Sequence, residues 1–237
     1  MNNGYFHRVN QQTPSKFWIN NPTRHEADLA IAECATGCTL NPSYTQKMLD
    51  HPEEGPYAHK VLDGVIHDVK DDVEAVAEFQ RRMAAPICEK FMGIFEASDH
   101  QEGYVSIQGD PIREEDPNVI ITEAHNNLTV SPNVCIKIPT TKSGLSAMRT
   151  LVPEGTVINA TEIFAVQQGL DLGELYESLV PKGKQGPKLY YSHIAGIYDD
   201  ALKAYADKNQ VDISPDVLAQ AGLAVSRKLY AMVKEAG

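Results

Sequence analysis

The sequence predicts an α/β fold of the TIM-type (β/α) barrel class, on three observations. Short β-like runs alternate with longer amphipathic helical stretches, the pattern of βαβ units and a parallel sheet. At 237 residues the chain is close to the roughly 250 residues of one complete barrel, so residues 1–237 are expected to form a single domain. The strand runs also split into an apolar face and a face that ends in polar residues.

The elements follow in order. Six strands are expected at 17–20 (FWIN), 37–41 (GCTLN), 104–108 (YVSIQ), 134–139 (VCIKIP), 156–161 (TVINAT) and 188–193 (KLYYSH). HEADLAIAEC supplies a helix after the first strand. Between the second and third, residues 55–98 carry apolar residues at three- and four-residue spacing and read as two or three helices. A helix from about Asn118 to Leu128 lies between two Pro-containing turns. SGLSAMRTLV follows the fourth strand and IFAVQQGLDLGELYESLV the fifth, and PKGKQGPK is a loop. DDALKAYADK and a final helix that starts at Ser214-Pro215, with Ser as N-cap and Pro in the first turn, close the chain. No internal repeat, low-complexity segment or interdomain linker is visible.

Composition excludes several classes. A hydrophobic fraction of 42% with 22% charged residues is ordinary for a globular protein, and no run of eighteen apolar residues or secretory leader is present; a cytosolic location and no membrane partner are expected. With 21 basic and 32 acidic side chains the formal charge is -11, which repels a phosphate backbone, so nucleic acid is not an expected partner. Cys34, Cys38, Cys88 and Cys135 show no metal-ligand spacing and read as reduced, mostly buried thiols. His125 and His193 read as surface or packing residues. No glycine motif for dinucleotides or ATP follows a strand, and neither metal nor organic cofactor is expected.

Chemistry is expected on the second face of the strands. Alternation places Cys38 and Leu40, Val105 and Ile107, and Val134, Ile136 and Ile138 toward the helices. The opposite face ends in Asn20, Asn41, Gln108, Lys137, Asn159 with Thr161, and Ser192. Such groups are costly to bury without partners, and a barrel gathers the C-terminal ends of its strands at its mouth. Taken singly each fits a satisfied polar network; six strand ends together fit a ligand site. Lys137, between Ile136 and Ile138, is the sharpest. Desolvation would favour its neutral amine, which attacks carbonyls; a structural ion pair with a loop carboxylate is the alternative.

Three segments then carry a resemblance: GCTLNPS (37–43), VCIKIPTTKSGLSAMRTL (134–151) and INATEIFAVQQG (158–169) resemble the characteristic segments of the transaldolase family, which includes the fructose 6-phosphate aldolases. With weaker matches at FWINNPT, YVSIQGD and YYSHIAGIYDD, the similarity spans about Phe17 to Asp200. The resemblance implies a Schiff-base lysine at Lys137, substrate hydroxyls held by Asn41, Asn159 and Ser192, and a catalytic water held by Thr161 and Gln108, where Gln rather than Glu is similar to the fructose 6-phosphate aldolase branch. The implied activity is transfer of a dihydroxyacetone unit between sugar phosphates, so the implied partner is a small sugar or sugar phosphate; a homo-oligomer is left open.

The sequence departs from that family in three places. Asn20 or Asn21 stands where the family has a catalytic Asp; Ile197 stands where it has an Arg for the substrate phosphate. Only six of eight β/α units are readable, which reads as a chain truncated at its C-terminus. These departures favour two alternatives: an aldolase acting on an unphosphorylated or otherwise modified ketose, and a non-catalytic sugar-binding relative.

Overall fold

A computed structural model describes residues 4–236. The chain begins with α1 (Tyr5–Gln12), then β1 (Phe17–Asn20), α2 (Arg24–Ala32), β2 (Ala35–Leu40), α3 (Tyr44–Asp50), α4 (Gly55–Asp68) and α5 (Asp72–Ala97). It continues through β3 (Tyr104–Gln108), α6 (Pro117–Leu128), β4 (Val134–Pro139), α7 (Lys142–Leu151), β5 (Ile158–Ile163) and α8 (Val166–Leu179). The last elements are β6 (Leu189–His193), α9 (Gly196–Asn209), α10 (Pro215–Leu218) and α11 (Ala221–Ala236). Six parallel strands alternating with helices make this an α/β fold, six of the units of a TIM-type (β/α) barrel. No described helix is long and apolar enough to cross a membrane.

Contacts divide the chain into two compact units, one running up to Lys137 and the other starting at Ile138, so β4 contributes to both. In the first unit β1 pairs with β2, β2 with β3 and β3 with β4, all parallel. The outward row of these strands, Cys38, Leu40, Val105, Ile107, Val134 and Ile136, is at most 2% exposed. It packs under α5, whose Met83, Ile87 and Phe91 are also buried. Burying each large apolar side chain contributes about 1.5–3 kcal/mol. A one-residue slip would turn that whole row to the opposite face, so the apolar row fixes the register and the polar row is carried with it.

In the second unit β5 pairs parallel with β6. Ile138, Ile158, Ala160 and Ile163 are buried with Leu151, Leu172 and Leu229 from α7, α8 and α11. The β5–β6 register passes from Ala160↔Tyr191 to Ile163↔His193, so Thr161 and Glu162 together oppose Ser192. Glu162 has φ 59°, and this bulge redirects the end of the strand.

Strands β1, β3 and β4 have the expected limits. β2 starts two residues earlier than expected, at Ala35 after Cys34 (φ 71°), because Ala35 pairs with Phe17. β5 starts at Ile158 and runs through the bulge to Ile163. Two short helices were not expected. α1 buries no residue and is tied by Phe6, which stacks on Phe17 at 4.3 Å; α3 buries only Tyr44 and Met48, a spacing too short to separate from a loop. The single terminal helix expected from Ser214 is broken at Ala219–Gln220. The break lets Gly222 lie against Ala195, where a Cβ would be 2.0 Å from the carbonyl oxygen, and Gly222 N–H donates to Asp199 Oδ1.

Candidate active site

Two loops shape the lysine end of the first unit. After β1 the chain turns at Asn21 (φ 47°), a conformation that Asn tolerates better than most residues. Asn21 N–H donates to Thr39 O, while its side-chain Oδ1 accepts from Asn41 N–H at 2.8 Å. Its own carbonyl accepts from Lys47 Nζ at 2.7 Å. One buried Asn therefore clamps the ends of β1 and β2 together. Behind it, Thr23 and Glu26 form a capping box on α2. The Arg24 side chain donates to both oxygens of buried Glu54 and lies 3.8 Å above the Tyr57 ring, which fixes α2 against α4.

On that support the inward row forms two layers. Register sets Asn20 opposite Thr39, Thr39 opposite Ser106 and Ser106 opposite Cys135. One layer toward the C-terminal ends, Gln108 is opposite Lys137, and Asn41 follows Leu40, whose partner is Ile107. Lys137 Nζ donates to Asn41 Oδ1 at 2.6 Å, and Asn41 Nδ2 donates to Asn20 Oδ1 at 2.8 Å. The structure thus brings Asn20, Asn41 and Lys137 into one hydrogen-bonded chain. Asn20 is exposed, Asn41 and Lys137 are half-buried, and Gln108 is buried.

The turn after Gln108 is also built tightly. Gln80 Nε2 donates to Gln108 O at 2.9 Å. Gly109 lies so close to Glu123 that a Cβ would be 2.0 Å from Oε2, and this oxygen accepts from Asp110 N–H. Burial would raise the Asp110 carboxyl, but hydrogen bonds from Arg113 and the Ile112 N–H outweigh it and hold the group below the usual range. Deeper in the same unit, burial pushes the Cys38 and Cys135 thiols well up and Cys88 up to about 12.

The second unit carries Asn159, Thr161 and Ser192. Asn159 and Thr161 are buried on β5, and Ser192 is half-buried on β6 opposite the bulge. Gln168, the third residue of α8, knits the following loop: its Oε1 accepts from Phe164 and Ala165 N–H, and its Nε2 donates to Thr140 O and Glu162 O. His193 is a packing residue, stacked on Tyr198 with Nδ1 2.8 Å from Ser226 Oγ, and His125 is exposed. Ile197, in the first turn of α9, is half-exposed. Among the described residues no three His, Cys, Asp or Glu side chains are grouped to hold a metal ion.

Sequence reasoning missed Lys47 and Gln168 and named Asn21 only as an alternative to Asn20 at the acid/base position; all three hold loops rather than line a strand face. The only local signal was composition: Asn-Pro after a strand end marks a turn, and Gln near a helix start suits a cap. Their partners lie as far as 28 residues away, which no local pattern shows.

Residues 17–237 match the transaldolase/fructose-6-phosphate aldolase family. The chain is 30% identical over 218 residues to proteins named transaldolase from Mycobacterium tuberculosis and Mycobacterium bovis, and 31% identical to one from Mycobacterium marinum. Each alignment covers 88% of this chain and 57% of the relative, so the chain spans somewhat over half the length of these curated proteins. The chain belongs to the transaldolase/fructose-6-phosphate aldolase family.

Proposed function

We propose that this protein transfers a dihydroxyacetone unit between sugar phosphates through a Schiff base at Lys137. The observation that carries the reading is the hydrogen bond from Lys137 Nζ to Asn41 Oδ1, which aims the amine from a strand whose neighbours Ile136 and Ile138 are buried. The amine adds to the ketose carbonyl, and loss of water gives an iminium. That cation accepts the electron pair of the bond between sugar carbons three and four as it breaks, and the hydroxyl proton of carbon four leaves to a base. An aldehyde is released, and the three-carbon unit stays on Lys137 as an enamine until it adds to an acceptor aldehyde. Hydrolysis of the resulting iminium frees the lysine.

In this reading Asn41, Asn159 and Ser192 hold substrate hydroxyls, and Thr161 and Gln108 hold the water that enters and leaves. Asn20 occupies the acid/base position, where an amide cannot take the proton as a carboxylate does; it orients Asn41 instead. Family membership and the transaldolase names of the relatives support the reaction class.

Asn20 and the exposed Ile197 favour a second reading, an aldolase for an unphosphorylated ketose or a non-catalytic sugar binder. Incubation with fructose 6-phosphate or dihydroxyacetone under borohydride, followed by peptide mass spectrometry, tests the chemistry. One reduced sugar fragment on Lys137, absent from Lys137→Met, is the expected result. Binding of either sugar without an adduct would leave a sugar-binding protein. Cleavage of unphosphorylated ketoses at equal or higher kcat/KM than their phosphates would establish the aldolase alternative.

A further inference from the structure

The first unit contains a cavity of about 290 Å³ between the start of α5, the Gly109–Ile112 turn and α6. Its walls are mostly apolar: Val73, Val76, Ala77, Pro111 and Ile112 line it, and Val73, Val76 and Ile112 are 45%, 65% and 88% exposed. Three of the charged groups around it are already committed. Arg81 is held by Glu74 and Glu78, Asp110 by Arg113, and Glu123 by Arg113 and the Asp110 N–H. Asn127 is different. It lines the cavity at 5% exposure, and its side-chain amide makes no hydrogen bond among the described residues. The amide opens into the cavity, where a polar group of a ligand can take the place of water on it.

We infer that this cavity is a binding site for a neutral organic molecule with an apolar ring or branched chain and one carboxamide or hydroxyl group, read by Asn127. Mostly apolar pockets with a few placed polar groups are the usual form of small-molecule sites. An anion would find no uncommitted cation there and would meet Asp72, Asp110 and Glu123, while Asp72 is exposed at the start of α5, where water screens its attraction for a cation. The site is separate from Lys137, but it adjoins the turn that continues from Gln108, and Gln80, which lines it, holds the Gln108 carbonyl.

The test is a titration of the whole chain with benzamide, followed through the backbone amide resonances of Gly109 and Ile112, with benzoate as the charged control. Benzamide should give saturable shifts in the millimolar range, as suits nine heavy atoms, and benzoate should bind at least tenfold more weakly. Asn127→Leu should weaken benzamide at least fivefold. Val76→Arg, at an exposed position that does not disturb the fold, should abolish binding by filling the mouth. Absence of saturable shifts in the wild type, or unchanged affinity in Val76→Arg, would overturn the inference. So would a wild-type dimer that ignores benzamide and dissociates on Val76→Arg, since the face would then be a protein interface. The readout is binding, so failure of adduct formation at Lys137 leaves the result unaffected.

Discussion

At the residue scale, Lys137 Nζ lies 2.6 Å from Asn41 Oδ1. Asn41→Asp is nearly isosteric but places a carboxylate beside the amine, and an opposite charge at that distance stabilises the ammonium and raises its pKa. The pH of half-maximal adduct formation in borohydride trapping should rise by about one unit or more, with lower yield at neutral pH. Gly109 offers a test of packing: Gly109→Ala forces the Cβ into Glu123 Oε2. The carboxylate must leave the Asp110 N–H, so urea unfolding should show a loss of about 1–3 kcal/mol. His193, by contrast, lies in packed surroundings next to Ser226 and has no place in the proposed reaction.

Among the elements, α2 and α5 do most to hold the first unit. α2 starts on a capping box in which Thr23 Oγ1 accepts from Glu26 N–H and Glu26 Oε2 accepts from Thr23 N–H. Thr23→Ala should cost about 1 kcal/mol in chemical denaturation. The Thr23 backbone N–H is the main cause that holds the Glu26 carboxyl below its usual range, with burial opposing and Lys47 assisting. A depressed folded value means that the contribution is complete above the unfolded value of about 4.3 and is lost as pH falls through the lower folded value. The Glu26→Gln variant should therefore show a smaller loss of stability on acidification below about pH 4.3 than the wild type. α5 is tied to the sheet by Asn133, which is fully buried and donates to both Cys88 O and Gly103 O at 2.9 Å. Asn133→Ala removes a buried donor from two carbonyls, and a loss of about 1–3 kcal/mol in urea unfolding is expected.

For the whole molecule, the four cysteines report on opening. Cys38, Cys88 and Cys135 are buried and their thiols are held in the neutral form, whereas Cys34 is partly exposed at the turn before β2. A thiolate is the reactive species, so one thiol per chain should react rapidly with an aromatic disulfide reagent in native buffer. The other three should react at the rate of global or unit-wise opening, and all four should react at once in urea. Fast reaction of Cys38 or Cys88 under native conditions would show that the packing of α5 on the sheet is looser than described.

The sequence by itself determined the class of fold, most strand limits and the identity of the polar row, because period-two and period-3.6 burial are local properties of the chain. Lys137, Asn41 and Gln108 were legible for that reason: each interrupts or ends an apolar alternation. Tertiary structure alone decided how that row is wired. The bond from Lys137 to Asn41 joins residues 96 apart, those from Asn41 to Asn20 and Asn21 join residues 21 and 20 apart, and the cavity at Asn127 exists only because α5, α6 and the Gly109–Ile112 turn meet. Hydrogen bonds and cavities depend on distances between segments that packing brings together, and no local pattern of hydrophobicity encodes those distances.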